Sequence, residues 1–183
     1  FRAAFPDAQI LSKETGYLRP YGNNPYRGYD AIDNNPFLFR GDIDPRLPAM
    51  ERVLSIRSDS GTQLIPLGQL VDIPLAHLDV DERSVVVFAA SVASSALDAG
   101  KISESRKVPS AAAYLAKVGD QNLTFKLADG AIVDEETGSL WNAFGRSTKG
   151  KLIGSQLEQL DDGVHFAFAW LAFDPEAKVI KLE

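Results

Sequence analysis

Val85-Val86-Val87-Phe88-Ala89 is five apolar residues in a row, three of them β-branched, with no polar residue between them. A short apolar run without period-two alternation reads as a strand buried on both faces. Upstream, Val53, Ser55 and Arg57 alternate with Leu54 and Ile56, which predicts a strand. Asp59-Ser60-Gly61-Thr62 is turn chemistry, and Gln63 to Leu67 returns as the second strand of a hairpin. Pro66 has no N–H to give a ladder, so it belongs at a sheet edge or at the end of its strand. Downstream, Ala112 to Lys117 and Asn122 to Leu127 flank Gly119-Asp120-Gln121 and predict a second hairpin. Asp129-Gly130 is another turn, followed by short strands at Ala131 to Val133 and Lys178 to Leu182. A helix is expected from His165 to Phe173, stopped by Pro175, with a second short one between Ala93 and Ser105. Many short strands between Gly-rich turns predict an α+β, β-rich fold. It is expected to be barrel- or sandwich-like, with antiparallel sheets and few short helices.

Residues 1–50 differ from the rest. Tyr17-Leu18-Arg19-Pro20-Tyr21-Gly22-Asn23-Asn24-Pro25-Tyr26 punctuates the chain too often for a long helix. We expect a looping Tyr/Pro/Asn-rich arm over 1–50, packed on a β-rich core domain over 51–183. Its tyrosines suit a sugar or peptide platform, or simply rings packed with each hydroxyl partnered. The two ends echo each other: Phe5-Pro6-Asp7-Ala8-Gln9-Ile10-Leu11 resembles Phe173-Asp174-Pro175-Glu176-Ala177-Lys178-Val179-Ile180 with one residue inserted. This predicts one unit of a duplicated protein. The start at Phe1, without Met or signal peptide, leads us to expect a processed product or part of a longer protein.

Composition excludes several classes. The net charge of −6 opposes a general nucleic-acid binder, which needs a basic face. No apolar run approaches the roughly 18 residues of a membrane helix. The absence of cysteine removes disulfides, thiol catalysis and zinc-thiolate sites. Two separated histidines, His77 and His165, are poor material for a transition-metal site. Gly41-Asp42-Ile43-Asp44 and Asp79-Val80-Asp81-Glu82 offer oxygen ligands without EF-hand spacing. Gly145 to Lys151 lacks phosphate-loop spacing and reads as a connection between strands. We therefore expect no cofactor and no metal.

Ligand-positioning residues concentrate between Asp134 and Phe173, which holds both tryptophans and one of the two histidines. Glu136 and Thr137 are the first candidates for buried polar or catalytic roles. Asp134 and Glu136 share a side if the segment is extended, which is the arrangement acid/base work requires. The alternative is a turn whose carboxylates and hydroxyls bond nearby backbone N–H groups. His165 is the candidate base, with Asp161 or Asp162 to orient it. Trp141 and Asn142 are the candidate ligand-binding pair, Asn142 offering both a donor and an acceptor.

The run Asp134-Glu135-Glu136-Thr137-Gly138-Ser139-Leu140-Trp141-Asn142 is followed by Gly145, Gly150, Leu152, Gly154 and Leu157, and then by Phe166-Ala167-Phe168-Ala169-Trp170. Together these resemble the DUF3179 family. Phe5-Pro6-Asp7 through Thr15-Gly16-Tyr17, Asn24-Pro25-Tyr26 through Tyr29, and Arg46-Leu47-Pro48 through Val53 fit it too. The resemblance implies a prokaryotic, usually exported protein of uncharacterised function, often carrying two related halves. Two departures stand out. The family's Cys-Pro-x-Cys element would fall within Val87 to Ser95, where no Cys occurs, so any thiol or metal role of that element is lost. Ala167 replaces the first Trp of the family's aromatic helix.

The expected function is that of an extracytoplasmic binding or assembly module with protein partners, without nucleic acid and without a transmembrane segment in this chain. The alternative is a hydrolase- or lyase-type enzyme using Glu136, Thr137 and His165. A concave site in which Glu136, Trp141 and His165 converge would favour the enzyme or a ligand binder. A solvated Glu-Thr-Gly turn and an aromatic arm laid on another chain would favour assembly.

Overall fold

The computed structural model describes residues 5–182. β1 (Arg52–Ser58) and β2 (Gly61–Pro66) form the first hairpin, in register from Val53↔Pro66 to Ser58↔Gly61. Pro66 closes its strand, where a missing donor costs least. β3 (Leu75–Val80), β4 (Arg83–Ser94) and β5 (Lys107–Leu115) make an antiparallel sheet with β4 at its centre. β6 (Lys117–Val118) and β7 (Gln121–Asn122) form a small ribbon. β8 (Phe125–Ala128), β9 (Ala131–Asp134), β10 (Leu140–Trp141) and β11 (Ser147–Lys149) form a meander. β12 (Asp161–Phe166) returns to pair with β1, and β13 (Lys178–Val179) adds in parallel to β2. The helices are α1 (Gln69–Asp72) and α2 (Ala167–Phe173).

The alternation of side chains across each strand stacks these parts. On β1 and β2, Leu54, Ile56 and Ile65 face one way, into a core shared with Val85 and Val87 of β4. Val53 and Leu64 face the other way, against Ala167 and Leu171 of α2 and against Ala177. On β4, Val86 and Phe88 point opposite to Val85 and Val87. They join Tyr114, Phe125, Ile132 and Trp141 in a core between the second sheet and the meander. The order is therefore α2, sheet β12-β1-β2-β13, sheet β3-β4-β5, sheet β11-β10-β9-β8. Among the described residues no sheet closes on itself, so the architecture is sandwich-like and not a barrel. The uninterrupted Val85–Ala89 run is the sequence of a strand with cores on both faces.

Four expected elements differ. The second hairpin is only a two-residue ribbon, Lys117 and Val118 pairing with Asn122 and Gln121, because Ala112 to Leu115 is held by β4 and Phe125–Ala128 by β9. The helix begins at Ala167 and not at His165, because residues up to Phe166 are claimed by β1 through Val53↔His165 and Arg52↔Phe166. No α-helix forms between Ala93 and Ser105. Ser94 is still in β4, paired with Lys107, and the remainder holds only a 3-10 turn at Ile102–Glu104. The last strand is two residues long, continued by one bond from Ile180 N–H to the Leu64 carbonyl at 2.8 Å.

Residues 5–50 contain neither a helix nor a ladder, only an isolated bridge between Asn23 and Lys101. They lie on the core and are held there by polar groups. Asn24 N–H donates to the Gly100 carbonyl at 2.8 Å, and Gly28 N–H to that of Asp98 at 2.7 Å. Arg46 donates to the carbonyls of Ala177 and Pro175 at 2.7 and 2.6 Å. Tyr29 meets the edge of Phe166, and Phe39 meets Phe168.

Candidate functional site

β9 ends on Asp134, which is fully buried. Its Oδ1 accepts the Thr137 N–H at 2.6 Å. Its Oδ2 accepts the Ser139 N–H at 3.1 Å and the Trp141 indole N–H at 2.9 Å. Burial alone would raise the Asp134 pKa. The hydrogen bonds from Trp141, Thr137 and Ser139 outweigh it and hold the carboxyl below its ordinary value. The Thr137 hydroxyl pairs with that of Ser139 at 2.6 Å, and Ser139 Oγ accepts the Leu152 N–H at 3.0 Å. Gly150 is required here. Its φ is +101°, and a Cβ would sit 2.7 Å from the Ser139 backbone. Asn142 caps the next turn, its Oδ1 accepting the N–H groups of Phe144 and Arg146. An ionised, fully bonded carboxylate of lowered pKa is a poor proton acceptor, so this cluster fixes the path of the chain from β9 to β10.

Thr137 and Trp141 therefore meet around Asp134, whose central part the sequence reading gave to Glu136. Glu136 is exposed, and both its carboxylate oxygens accept the Thr124 N–H, at 3.0 and 2.9 Å. His165 lies on β12, in a different sheet, with its Nε2 against the Asp162 carbonyl at 3.1 Å. No hydrogen bond joins it to Glu136 or Thr137 among the described residues. A cavity of about 710 Å³ runs along β3 past His77, Asn122 and Thr124. His77 Nε2 faces the Phe125 carbonyl at 2.9 Å and the Phe125 N–H at 3.3 Å, so the ring serves as a strap between β3 and β8. Among the described residues no three His, Asp or Glu side chains converge as a metal-binding group.

A second buried carboxylate has no signature in the sequence. Asp30, in the arm, is buried and accepts from four groups. Arg52 Nη2 and Ser95 Oγ each donate to Oδ2 at 2.5 Å, while Arg106 donates to Oδ1 at 3.0 Å and to Oδ2 at 2.9 Å. Burial raises its pKa, but the bonds from Ser95, Arg52 and Arg106 prevail and lower it. No local pattern announces this site, because its partners come from β1, from the residue after β4 and from the residue before β5.

The concave surface richest in aromatic and charged groups lies beside α2. The Trp170 ring is 4.6 Å from that of His165, and the Arg57 guanidinium sits 5.3 Å over its face. Arg57 Nε lies 3.3 Å from an Asp162 carboxylate oxygen. A cleft of about 520 Å³ opens there, bounded also by Thr62, Phe173 and Asp174.

A family model described as a protein of unknown function, DUF3179, matches residues 1–177. No curated protein and no solved structure matches the chain.

Proposed function

The chain belongs to the DUF3179 family, and we propose that this member is an extracytoplasmic binding module that docks onto a protein partner through its arm. One observation carries the reading: the arm leaves several of its large apolar side chains in solvent. Its polar residues Asn24 and Asp30 are buried against the core, while Leu11, Leu18 and Leu38 are 96, 107 and 77% exposed. Tyr17 and Phe37 are exposed as well. An arm that served only to cover the core would turn these apolar groups inward. Each buried leucine is worth about 1.5–3 kcal/mol, a gain that the arm forgoes here and that a partner covering these groups would recover. Scattered apolar residues need no explanation, and the docking reading takes the adjacent pairs Tyr17-Leu18 and Phe37-Leu38 as its contact points. The extracytoplasmic placement rests on the family resemblance, and cell fractionation of a tagged chain tests it directly.

Photo-crosslinkers placed at Leu18 and Leu38 in cells test the docking, with one at exposed Lys151 as control. The expected result is a discrete adduct heavier than the chain from positions 18 and 38, lost when the neighbouring arm leucine is changed to Asp. Adducts no different from those at position 151 would refute it. The hydrolase or lyase reading has no comparable support, since Glu136 and Thr137 sit on one turn and His165 in another sheet.

A further inference from the structure

β3 is an outer strand of its sheet, and its free side is bare. Two bonds fix which way its backbone groups point. Ala89 N–H donates to the Pro74 carbonyl at 2.8 Å across the β3–β4 pair, and the Ser84 carbonyl accepts the Ala116 N–H at 2.8 Å on the other side of β4. Antiparallel ladders alternate bonded and unbonded pairs. Ala76↔Val87 and Leu78↔Val85 are therefore the bonded pairs, and Leu75, His77 and Asp79 aim their N–H and C=O groups away from β4. Among the described residues none of those outward groups takes a hydrogen bond. The other outer strands are treated differently. Glu158 and Leu160 close the side of β5 at Leu115 and Ala113, with bonds of 2.8 and 2.9 Å. His77 occupies the edge of β8 at Phe125. β12 carries a bulge opposite Leu54 to Ile56, with Gly163 at φ +96°. β6, β7, β11 and β13 are two or three residues long. Shortness, bulges and covering segments keep edges from pairing with foreign strands. β3 has six residues, no bulge and no proline, and its one carboxylate is Asp79.

This edge lies in the cavity of about 710 Å³, between Asn122 to Thr124 on one side and Lys181 and Leu182 on the other. Its chemistry selects the occupant. N–H and C=O groups that recur at every second residue match the backbone of an added strand, which supplies the same groups at the same repeat. Toward the meander, the side chains of such a strand meet Asn122 and Thr124. Toward the first sheet they meet Ile73, Leu78 and Leu182, which belong to the core between the first two sheets. The segment that fits therefore alternates hydroxyl or amide residues with aliphatic ones. Asp79 and Lys181 put one charge of each sign on the walls, so the segment needs no net charge. The walls also decide against a second folded copy. It would have to bring its own walls into the same space, whereas a single strand brings none. We propose that β3 is the acceptor edge for an extended segment of a partner protein, about five or six residues long, which adds to the second sheet as a further strand. This site is separate from the docking of the arm, and either can fail without the other.

The test uses fluorescein-labelled octapeptides in which Val or Leu alternates with Thr or Asn between terminal lysines. They are titrated with the whole protein and read by fluorescence anisotropy. At least one should bind saturably, and two N-methylated isomers of it then report the mode. Methyl groups on the alternate N–H groups that face β3 should weaken binding by about tenfold or more, and methyl groups on the intervening ones should leave it within about twofold, because an added strand bonds through every second residue. Asp79→Pro removes one outward donor and keeps the ladder bonds to β4. It should abolish binding, while Asp79→Ala binds like the parent. Thr124→Trp fills the cavity from the opposite wall, should abolish binding too, and carries the test if the proline variant does not fold. No saturable binding of any of these peptides at millimolar concentration would overturn the proposal. So would equal binding or equal failure of the two methylated isomers, or folded Asp79→Pro or Thr124→Trp variants that bind like the parent. A parent chain that dimerises and is made monomeric by Asp79→Pro would overturn it as well, since the edge would then belong to a second copy.

Discussion

Asp134→Asn tests whether the polar centre of the meander is a device of stability. The substitution keeps the shape and removes one of two acceptor oxygens. An amide turned to receive the Ser139 N–H and the Trp141 indole must point its NH2 at the Thr137 N–H, which now lies 2.6 Å from Oδ1. Turned the other way, it abandons two donors. Losing a hydrogen bond to a charged acceptor costs about 1.5–3 kcal/mol, and the stranded buried donor adds about 1–3. We expect a net loss of about 3 kcal/mol, allowing for local adjustment. For a domain of this size that lowers Tm by roughly 6–12 °C. The pH dependence gives a second signature. The folded pKa of Asp134 is depressed, so its contribution is present above the unfolded value, about 3.9, and is lost as pH falls through the folded one. The gap between parent and variant in urea unfolding should therefore be full at neutral pH and should narrow in acid. Equal unfolding midpoints at pH 7 would refute the assignment.

Other outcomes follow from single contacts. Glu136→Gln removes charge from an exposed acceptor of one backbone N–H and should cost less than about 1 kcal/mol, read in the same urea assay. Gly145→Ala should cost about 2 kcal/mol or more, because φ is +69° and the new Cβ would lie 2.7 Å from the Tyr114 ring; thermal melting reads it. Arg106→Met leaves Asp30 with only Arg52 and Ser95, and because Arg106 is 41% exposed the loss of its charged hydrogen bonds should cost about 1.5 kcal/mol. Limited proteolysis should then cut faster between residues 31 and 50, with cleavage in β4 unchanged. Tyr114, raised to about 12 by burial and by the charge of Asp161, is protonated in the fold beyond its ordinary range. Its contribution is whole below about pH 10 and fades toward 12, so Tyr114→Phe should flatten the loss of stability across that window.

What was legible in the sequence was what local patterning controls. Val85 to Ala89 named a doubly buried strand, and Asp59 to Thr62 named a hairpin turn, because a residue's neighbours decide both. His165 was placed on a helix because Phe166 to Phe173 is apolar at a length that suits one. Its pairing partner Val53 lies over a hundred residues away, and no window of sequence contains both. The Asp134 turn was recognised as a cluster with the wrong residue at its centre. Three adjacent acids look alike in sequence, and only the direction of β9 decides which one faces the core. Asp30 gave no sign at all, since its meaning lies entirely in Arg52, Ser95 and Arg106.

The first sheet joins β1 and β2 to strands that begin at Asp161 and Lys178. A chain growing from its N-terminus makes the β1–β2 hairpin early and must then wait. Both hairpin edges stay open, and Val53 and Leu64 stay wet until α2 arrives. Closing so long a loop is entropically slow, and sheets built from distant strands fold in milliseconds to seconds. During that interval the open edges invite pairing with other chains. The order of synthesis thus makes this hairpin a point where a nascent chain needs protection against pairing with its neighbours.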